Sequence, residues 1–293
     1  MNIYASYACN FRCRFCTIYK KSGGLVDLDW AENELSKRPE LCSNINILGG
    51  EPSILPEAYQ ERLIDICMEA AGEPPYLITN LYKKSPFLRK CRPIVSYDFR
   101  LREHHHTVLQ NILSMEQEFS LSTVLTSYLV EQVGAEKYLR FIHSLPNCTR
   151  ADLDIYYKSK DAEEDFTPDN EKLLGFVSVV MKSDKVNLAP LSAMRSNIDS
   201  SVDNISDYLA FMPERKYGVR FDYRNGTFAE FDSYEAAMAF YKKRTSDGNC
   251  KMCEFRDSCW YPHSDDVCHG NKPMLEMFKQ YVLSSDRQTL YRK

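Results

Sequence analysis

Along the first half of the chain, apolar residues fall into two rhythms that take turns. Short β-prone runs occur at NIYASYA (2–8), NINILGG (44–50), PYLITN (75–80), PIVSYDF (93–99), LSTVLTSY (121–128) and ADLDIYY (151–157). Between them, AYQERLIDICMEA (58–70), TVLQNILSMEQEF (107–119) and AEKYLRFIHSL (135–145) place apolar residues three and four apart, the period of a helix with one buried face. About six such alternations predict an α/β fold built on a parallel sheet, either an open barrel or a doubly wound sheet. In both arrangements the functional site lies at the C-terminal ends of the strands.

The alternation is then expected to fade. KSKDAEEDFTPDNEK (158–172) is acidic, polar and interrupted by Pro168, so it reads as a surface connection or a domain edge. VRFDYRNGTFAEF (219–231) is a predicted hairpin with Asn225-Gly226 at its turn. The amphipathic stretch SYEAAMAFYKKR (233–244) reads as a helix, a cysteine-rich loop follows, and PMLEMFKQYVL (273–283) reads as a last helix. No internal repeat interrupts this order.

With 293 residues and 44% hydrophobic content, the chain can form one large core with a smaller appendage. A formal net charge of -4 gives no general attraction to phosphate backbones, and the basic run KKSPFLRKCR (83–92) reads as a solvated helix end, so no nucleic-acid partner is expected. No apolar run approaches the ~18 residues that span a bilayer, and the N-terminus lacks the charged and apolar regions of a signal peptide. The protein is expected to be cytoplasmic, with no membrane partner.

Eleven cysteines change this picture, because a reducing compartment does not favour structural disulfides. They divide into Cys9, Cys13 and Cys16, then Cys250, Cys253, Cys259 and Cys268, and four singletons: Cys42, Cys67, Cys91 and Cys148. Clustering near both ends points to metal at two places. In ACNFRCRFC (8–16) three thiolates on one tight loop can hold three corners of an iron–sulfur cubane and leave the fourth iron open, as a site that binds something at its metal requires. Zinc completed by a histidine, or two buried thiols beside a reactive third, remain alternatives from spacing alone. No histidine lies near the triplet in sequence.

The triplet resembles the CxxxCxxC signature of the radical S-adenosylmethionine (SAM) enzymes, with Phe15 as the aromatic residue before the third cysteine. NILGGEP (46–52) resembles the GGEP motif of the same family through Gly49, Gly50, Glu51 and Pro52. Glycines allow close backbone approach to a ligand, and a carboxylate can pair with an ammonium group. The resemblance covers roughly residues 2–157. It implies a partial (β/α)6 TIM-like barrel in which Cys9, Cys13 and Cys16 hold a 4Fe-4S cluster whose free iron chelates the amino and carboxylate groups of SAM. Reductive cleavage of SAM would yield a 5′-deoxyadenosyl radical that abstracts a substrate hydrogen, with flavodoxin or ferredoxin as electron donor. Thr79 and Asn80, and Ser96 and Asp98, end strands where the family often reads TNG and Ser-x-Asp, and should face the nucleoside. Leu81 stands in place of the family's glycine.

CKMCEFRDSC (250–259), followed by Cys268, resembles the cysteine run of the C-terminal SPASM and twitch extensions that carry auxiliary clusters. The preceding hairpin and helix resemble that extension too. A full SPASM tail carries more cysteines, so the resemblance implies a twitch-like tail with one auxiliary 4Fe-4S cluster on Cys250, Cys253, Cys259 and Cys268. Structural zinc, with His263 or His269 replacing a thiolate, fits the spacing equally well. The expected division is a partial barrel over 1–175, a connecting region over 176–215 and the extension over 216–293.

The four singletons precede strands or lie within a helix, which places them on the N-terminal side of the sheet as small buried residues. His104, His105 and His106 follow the fourth strand and are expected to contact substrate. Tyr156 and Tyr157 read as strand residues that could also wall a pocket. The functional expectation is a radical SAM oxidoreductase or maturase acting on a ribosomally synthesised peptide, forming a crosslink, a thioether or an epimerised centre. A small-molecule epimerase or dehydrogenase, for instance on an aminoglycoside sugar, is the alternative, and a non-catalytic zinc-stabilised binding protein is the alternative of another class.

Overall fold

The computed structural model of the protein describes residues 1–16, 24–156, 158, 164–188, 209–222, 227–246 and 272–290. In chain order the elements are β1 (Asn2–Ser6), α1 (Leu28–Ser36), β2 (Asn46–Gly49), α2 (Glu57–Ala71), β3 (Tyr76–Thr79) and β4 (Arg92–Ser96). They continue with α3 (His105–Leu113), β5 (Phe119–Leu125), α4 (Ala135–His143), β6 (Cys148–Ile155), α5 (Asn170–Val180) and β7 (Val186–Asn187). Then come β8 (Leu209–Met212), β9 (Lys216–Asp222), β10 (Thr227–Phe231) and the helices Tyr234–Ser246 and Lys272–Leu290.

All the strands join one sheet in the order β10-β9-β8-β1-β2-β3-β4-β5-β6-β7. From β8 to β7 every neighbouring pair is parallel, while β9 runs antiparallel to both β8 and β10. Because β10 and β7 are separate edges, the sheet is open: an α/β partial barrel with a hairpin added beside β8.

Period-2 burial builds this sheet. On β5, Phe119, Leu121, Thr123 and Leu125 are buried and alternate with half-buried Ser120, Ser122 and Val124. The buried set joins apolar residues of the helices in one core on the outer face. A second cluster, Tyr4, Ala210 and Met212 with Tyr7 and Leu48, is separate from that core. Tyr4 alternates with the core residues Ile3 and Ala5 along β1, which puts the cluster on the inner face. Local signals set helix ends. Asp27 caps α1 by accepting from the Trp30 amide at 2.9 Å, and α2 stops at Gly72, which takes φ 69°.

Two sequence-based expectations are corrected. The strand–helix alternation does not fade after residue 157: α5 spans residue 175, and β7 and β8 from the expected connecting region extend the sheet at opposite edges. With only two and four residues, they offer no periodic run to read. Helix α3 ends at Leu113 rather than 119, where the Ser114 hydroxyl donates back to the carbonyls of Gln110 and Asn111.

The hairpin is mounted on α1. Glu34 is buried and accepts from Lys37, Arg38 and the Tyr217 hydroxyl. Trp30 packs between Phe211 and Tyr217 at centroid distances of 4.8 and 5.2 Å. Among the described residues, no helix is long and apolar enough to cross a membrane. In the basic run, Arg89, Lys90 and Arg92 pair with Glu116, Glu61 and Glu73.

Candidate functional site

The C-terminal ends of β1 and β2 lie side by side, and the segments leaving them are bonded together. The Gly50 amide donates to the Ser6 carbonyl at 2.7 Å and the Glu51 amide to the Ala8 carbonyl at 2.8 Å. This contact requires both glycines. Gly49 has φ 136°, and a Cβ there would sit 2.2 Å from the Ser6 oxygen; a Cβ on Gly50 would sit 2.0 Å from the Ala8 oxygen. The close approach they permit is to the chain itself, at Ser6 and at Ala8, the residue before Cys9.

The cysteine loop is tightly turned. The Phe11 amide donates to the Cys9 Sγ at 3.4 Å, and the Cys16 amide to the Cys13 carbonyl at 2.9 Å. Cys13 is buried, Cys9 and Cys16 half-buried. Burial pushes the Cys13 thiol up to about 12, with Arg102 opposing and Cys16 reinforcing that rise. The Cys9 thiol is also raised by burial, against the amide of Phe11. Among the described residues, no three His, Cys, Asp or Glu side chains are grouped as a single metal ion would need. A cubane binds its thiolates at separate corners and makes no such demand.

Glu51 is buried and organises the next strand. Its Oε1 accepts from the Ser53 amide at 3.1 Å and the Thr79 hydroxyl at 2.6 Å, and its Oε2 from the Asn80 amide at 2.6 Å. The Asn80 side chain then donates to Asn10 Oδ1 at 2.9 Å, tying β3 to the cysteine loop. Leu81, standing where glycine was expected, nevertheless takes φ 54° while fully buried. The left-handed backbone is thus kept, at a strain of about 1–2 kcal/mol.

Ser96 is half-buried at the end of β4, in register with Ser122. Asp98 is buried, and both its oxygens are engaged: Oδ1 accepts from the Val124 amide at 2.7 Å, Oδ2 from Arg102 Nε at 3.0 Å. Pro52 is buried at the start of a short 3-10 turn, and the Phe15 ring lies 5.7 Å from the Arg102 guanidinium carbon. The three histidines do not converge. His104 has φ 50° and packs on Tyr82 and Phe11 at 4.8 and 5.5 Å, while His105 stacks on His106 at 4.0 Å. Tyr156 is buried against Phe166. Tyr157 and the group Cys250, Cys253, Cys259 and Cys268 lie outside the described residues.

Sequence reasoning missed Asn10, Phe11, Arg102 and Glu103. The Glu103 carboxylate accepts from the Arg12 amide at 3.0 Å across 91 residues of chain, a pairing with no local signal.

With this geometry the chain can be set beside known proteins. No family profile matches it, and no curated protein matches it. Solved structures do. The enzyme anSMEcpe with bound AdoMet superposes with a TM-score of 0.70 at 13% identity, over 99% of this chain and 98% of that one. The same enzyme with AdoMet and a Cp18Cys peptide gives 0.70 at 14% identity, and with a Kp18Cys peptide 0.70 at 12%. The fold is that of anSMEcpe. At these identities the likeness is one of architecture, and it extends over nearly the whole of both chains.

Proposed function

We propose that the protein is a radical SAM enzyme that modifies a peptide. The observation carrying this reading is the direct bonding of the three-cysteine loop to the Gly49–Pro52 turn at the C-terminal ends of β1 and β2. Three sulfurs on one turn, one buried and two half-buried, suit an iron–sulfur cluster as donor set. Cys9, Cys13 and Cys16 would hold a 4Fe-4S cluster. When bound, the cluster supplies the electron that cleaves SAM and leaves a carbon radical able to take a hydrogen atom from substrate.

The chain's own residues bind, orient and exclude water. Burial of Cys13 keeps solvent from one side of the loop. The Gly49–Pro52 turn offers its backbone edge to the methionine end of SAM, and Glu51 fixes that edge to β3 through Thr79 and Asn80. The same carboxylate brings negative charge toward an ammonium group.

A peptide substrate is supported by the peptide complexes of anSMEcpe, 98% of whose chain the present fold matches. The C-terminal group Cys250, Cys253, Cys259 and Cys268 is proposed to hold one auxiliary cluster. Iron, sulfide and zinc content of anaerobically reconstituted protein tests the reading, beside a variant with Cys9, Cys13 and Cys16 changed to Ala. About eight irons falling to about four supports it. Zinc with little iron, and no 5′-deoxyadenosine on reduction with SAM, overturns it in favour of a metal-stabilised binding protein. A mass change in a co-expressed short peptide tests the substrate class.

A further inference from the structure

We propose that Arg102, held by Asp98, is a positioning residue that presents a fixed positive charge to the three-cysteine loop and raises the reduction potential of the cluster bound there. The inference rests on the cluster reading above. Arg102 is an arginine with a side chain only 12% exposed, paired with an aspartate 2% exposed. Asp98 is itself immobilised, because its second oxygen takes the Val124 amide at the end of β5 at 2.7 Å. The carboxylate therefore anchors the guanidinium to the sheet, and the Phe15 ring, next to Cys16, covers it at 5.7 Å.

The guanidinium of this pair lies against the cysteine loop, its carbon 5.7 Å from the ring of Phe15, the residue between Arg14 and Cys16. The surrounding segment braces the loop at two further points: Glu103 accepts from the Arg12 amide at 3.0 Å, and His104 packs on Phe11 at 5.5 Å. Phe99 and His104, on either side of Arg102, take φ of 52° and 50°. Such strained backbone persists only where the surroundings over-determine it. A buried cation beside a cluster stabilises the state with one more electron, since charges interact strongly where water is excluded.

The test is a redox titration of the reconstituted, SAM-free cluster by electron paramagnetic resonance, with iron per chain measured on each sample. Arg102→Gln should retain iron while its one-electron equilibrium shifts at least tenfold toward the oxidised form, which is 59 mV for one electron. Arg102→Lys, which keeps the charge, should stay within threefold of wild type. An unchanged equilibrium in iron-loaded Arg102→Gln, or an equal shift in Arg102→Lys, overturns the proposal. If Arg102→Gln does not hold iron, Arg102→Met decides by the same tenfold criterion, and loss of iron in both variants overturns the proposal. Failure of the cluster reading shows separately, as wild-type protein that takes up no cluster, and the inference falls with it.

Discussion

Cysteines occupy both ends of the same sheet, and the two ends treat them differently. Cys9, Cys13 and Cys16 sit on a loop leaving the C-terminal end of β1, among bonded backbone edges, a buried carboxylate and a buried guanidinium. Cys42 and Cys91 are buried before strands, Cys148 at the first residue of β6 and Cys67 inside α2, all within the apolar core. Burial raises thiols in both groups, Cys13 and Cys91 alike to about 12. Protonation therefore does not separate them. What separates them is the neighbourhood: polar and strained at one end, apolar at the other.

The sharpest break in this comparison is a pair of single substitutions. Cys13→Ala should abolish both uptake of the first cluster, about four irons, and 5′-deoxyadenosine formation. Cys148→Ala should leave both intact. Iron analysis with chromatography of the nucleoside checks this, and equal iron in the two variants would remove the functional distinction between the groups.

Next in size is the contact that makes the C-terminal end what it is. Gly50→Ala places a methyl 2.0 Å from the Ala8 carbonyl oxygen, where backbone must move, and should cost on the order of 3 kcal/mol. Urea unfolding of the metal-free protein measures it. A cost below about 0.5 kcal/mol, the usual range for a substitution away from any special feature, would mean the two segments are not bonded as described.

Glu51→Ala orphans the Asn80 amide and the Thr79 hydroxyl, a loss of about 1–3 kcal/mol. It should weaken SAM binding while leaving cluster content largely intact. Equilibrium binding of SAM and iron analysis on the same samples separate the two effects, and loss of the cluster itself would contradict the role given to this carboxylate.

The smallest effect probes the apolar end. Cys91 is protonated in the folded chain to about pH 12, against an ordinary value of 9.0. Its contribution to stability is therefore complete below pH 9 and is lost as pH rises from 9 toward 12. Each such thiol makes stability fall by about 1.4 kcal/mol per pH unit in that window. Cys91→Ala should flatten the decline between pH 9 and 10 by about 1 kcal/mol. An unchanged slope would mean that the Cys91 thiol ionises as readily folded as unfolded.

Much of the molecule is legible locally, because its signals are short-range. Six alternations of period 2 and period 3.6 specify a parallel α/β sheet, and CxxxCxxC and GGEP are contiguous strings that carry the resemblance to the radical SAM enzymes. The singletons' place at the N-terminal side follows from their position before strands. β7 and β8 were not legible, since two and four residues carry no period. Leu81 carries no local sign of its conformation: a non-glycine residue rarely takes the left-handed turn, yet the buried surroundings enforce one.

The sequence by itself determined that the strands run parallel and at which end of them the cysteine triplet lies, because hydrophobic period and chain handedness depend on neighbours a few residues apart. Only the tertiary structure decided that the glycines of the Gly49–Pro52 turn accommodate the cysteine loop, that Glu51 reaches across to Asn80, and that Arg102 and Glu103 close on a loop some ninety residues away. Those contacts join segments that share no local pattern. They form because strand order brings the ends of β1 to β4 to one rim, where buried polar groups must find partners or forfeit the free energy of their lost water.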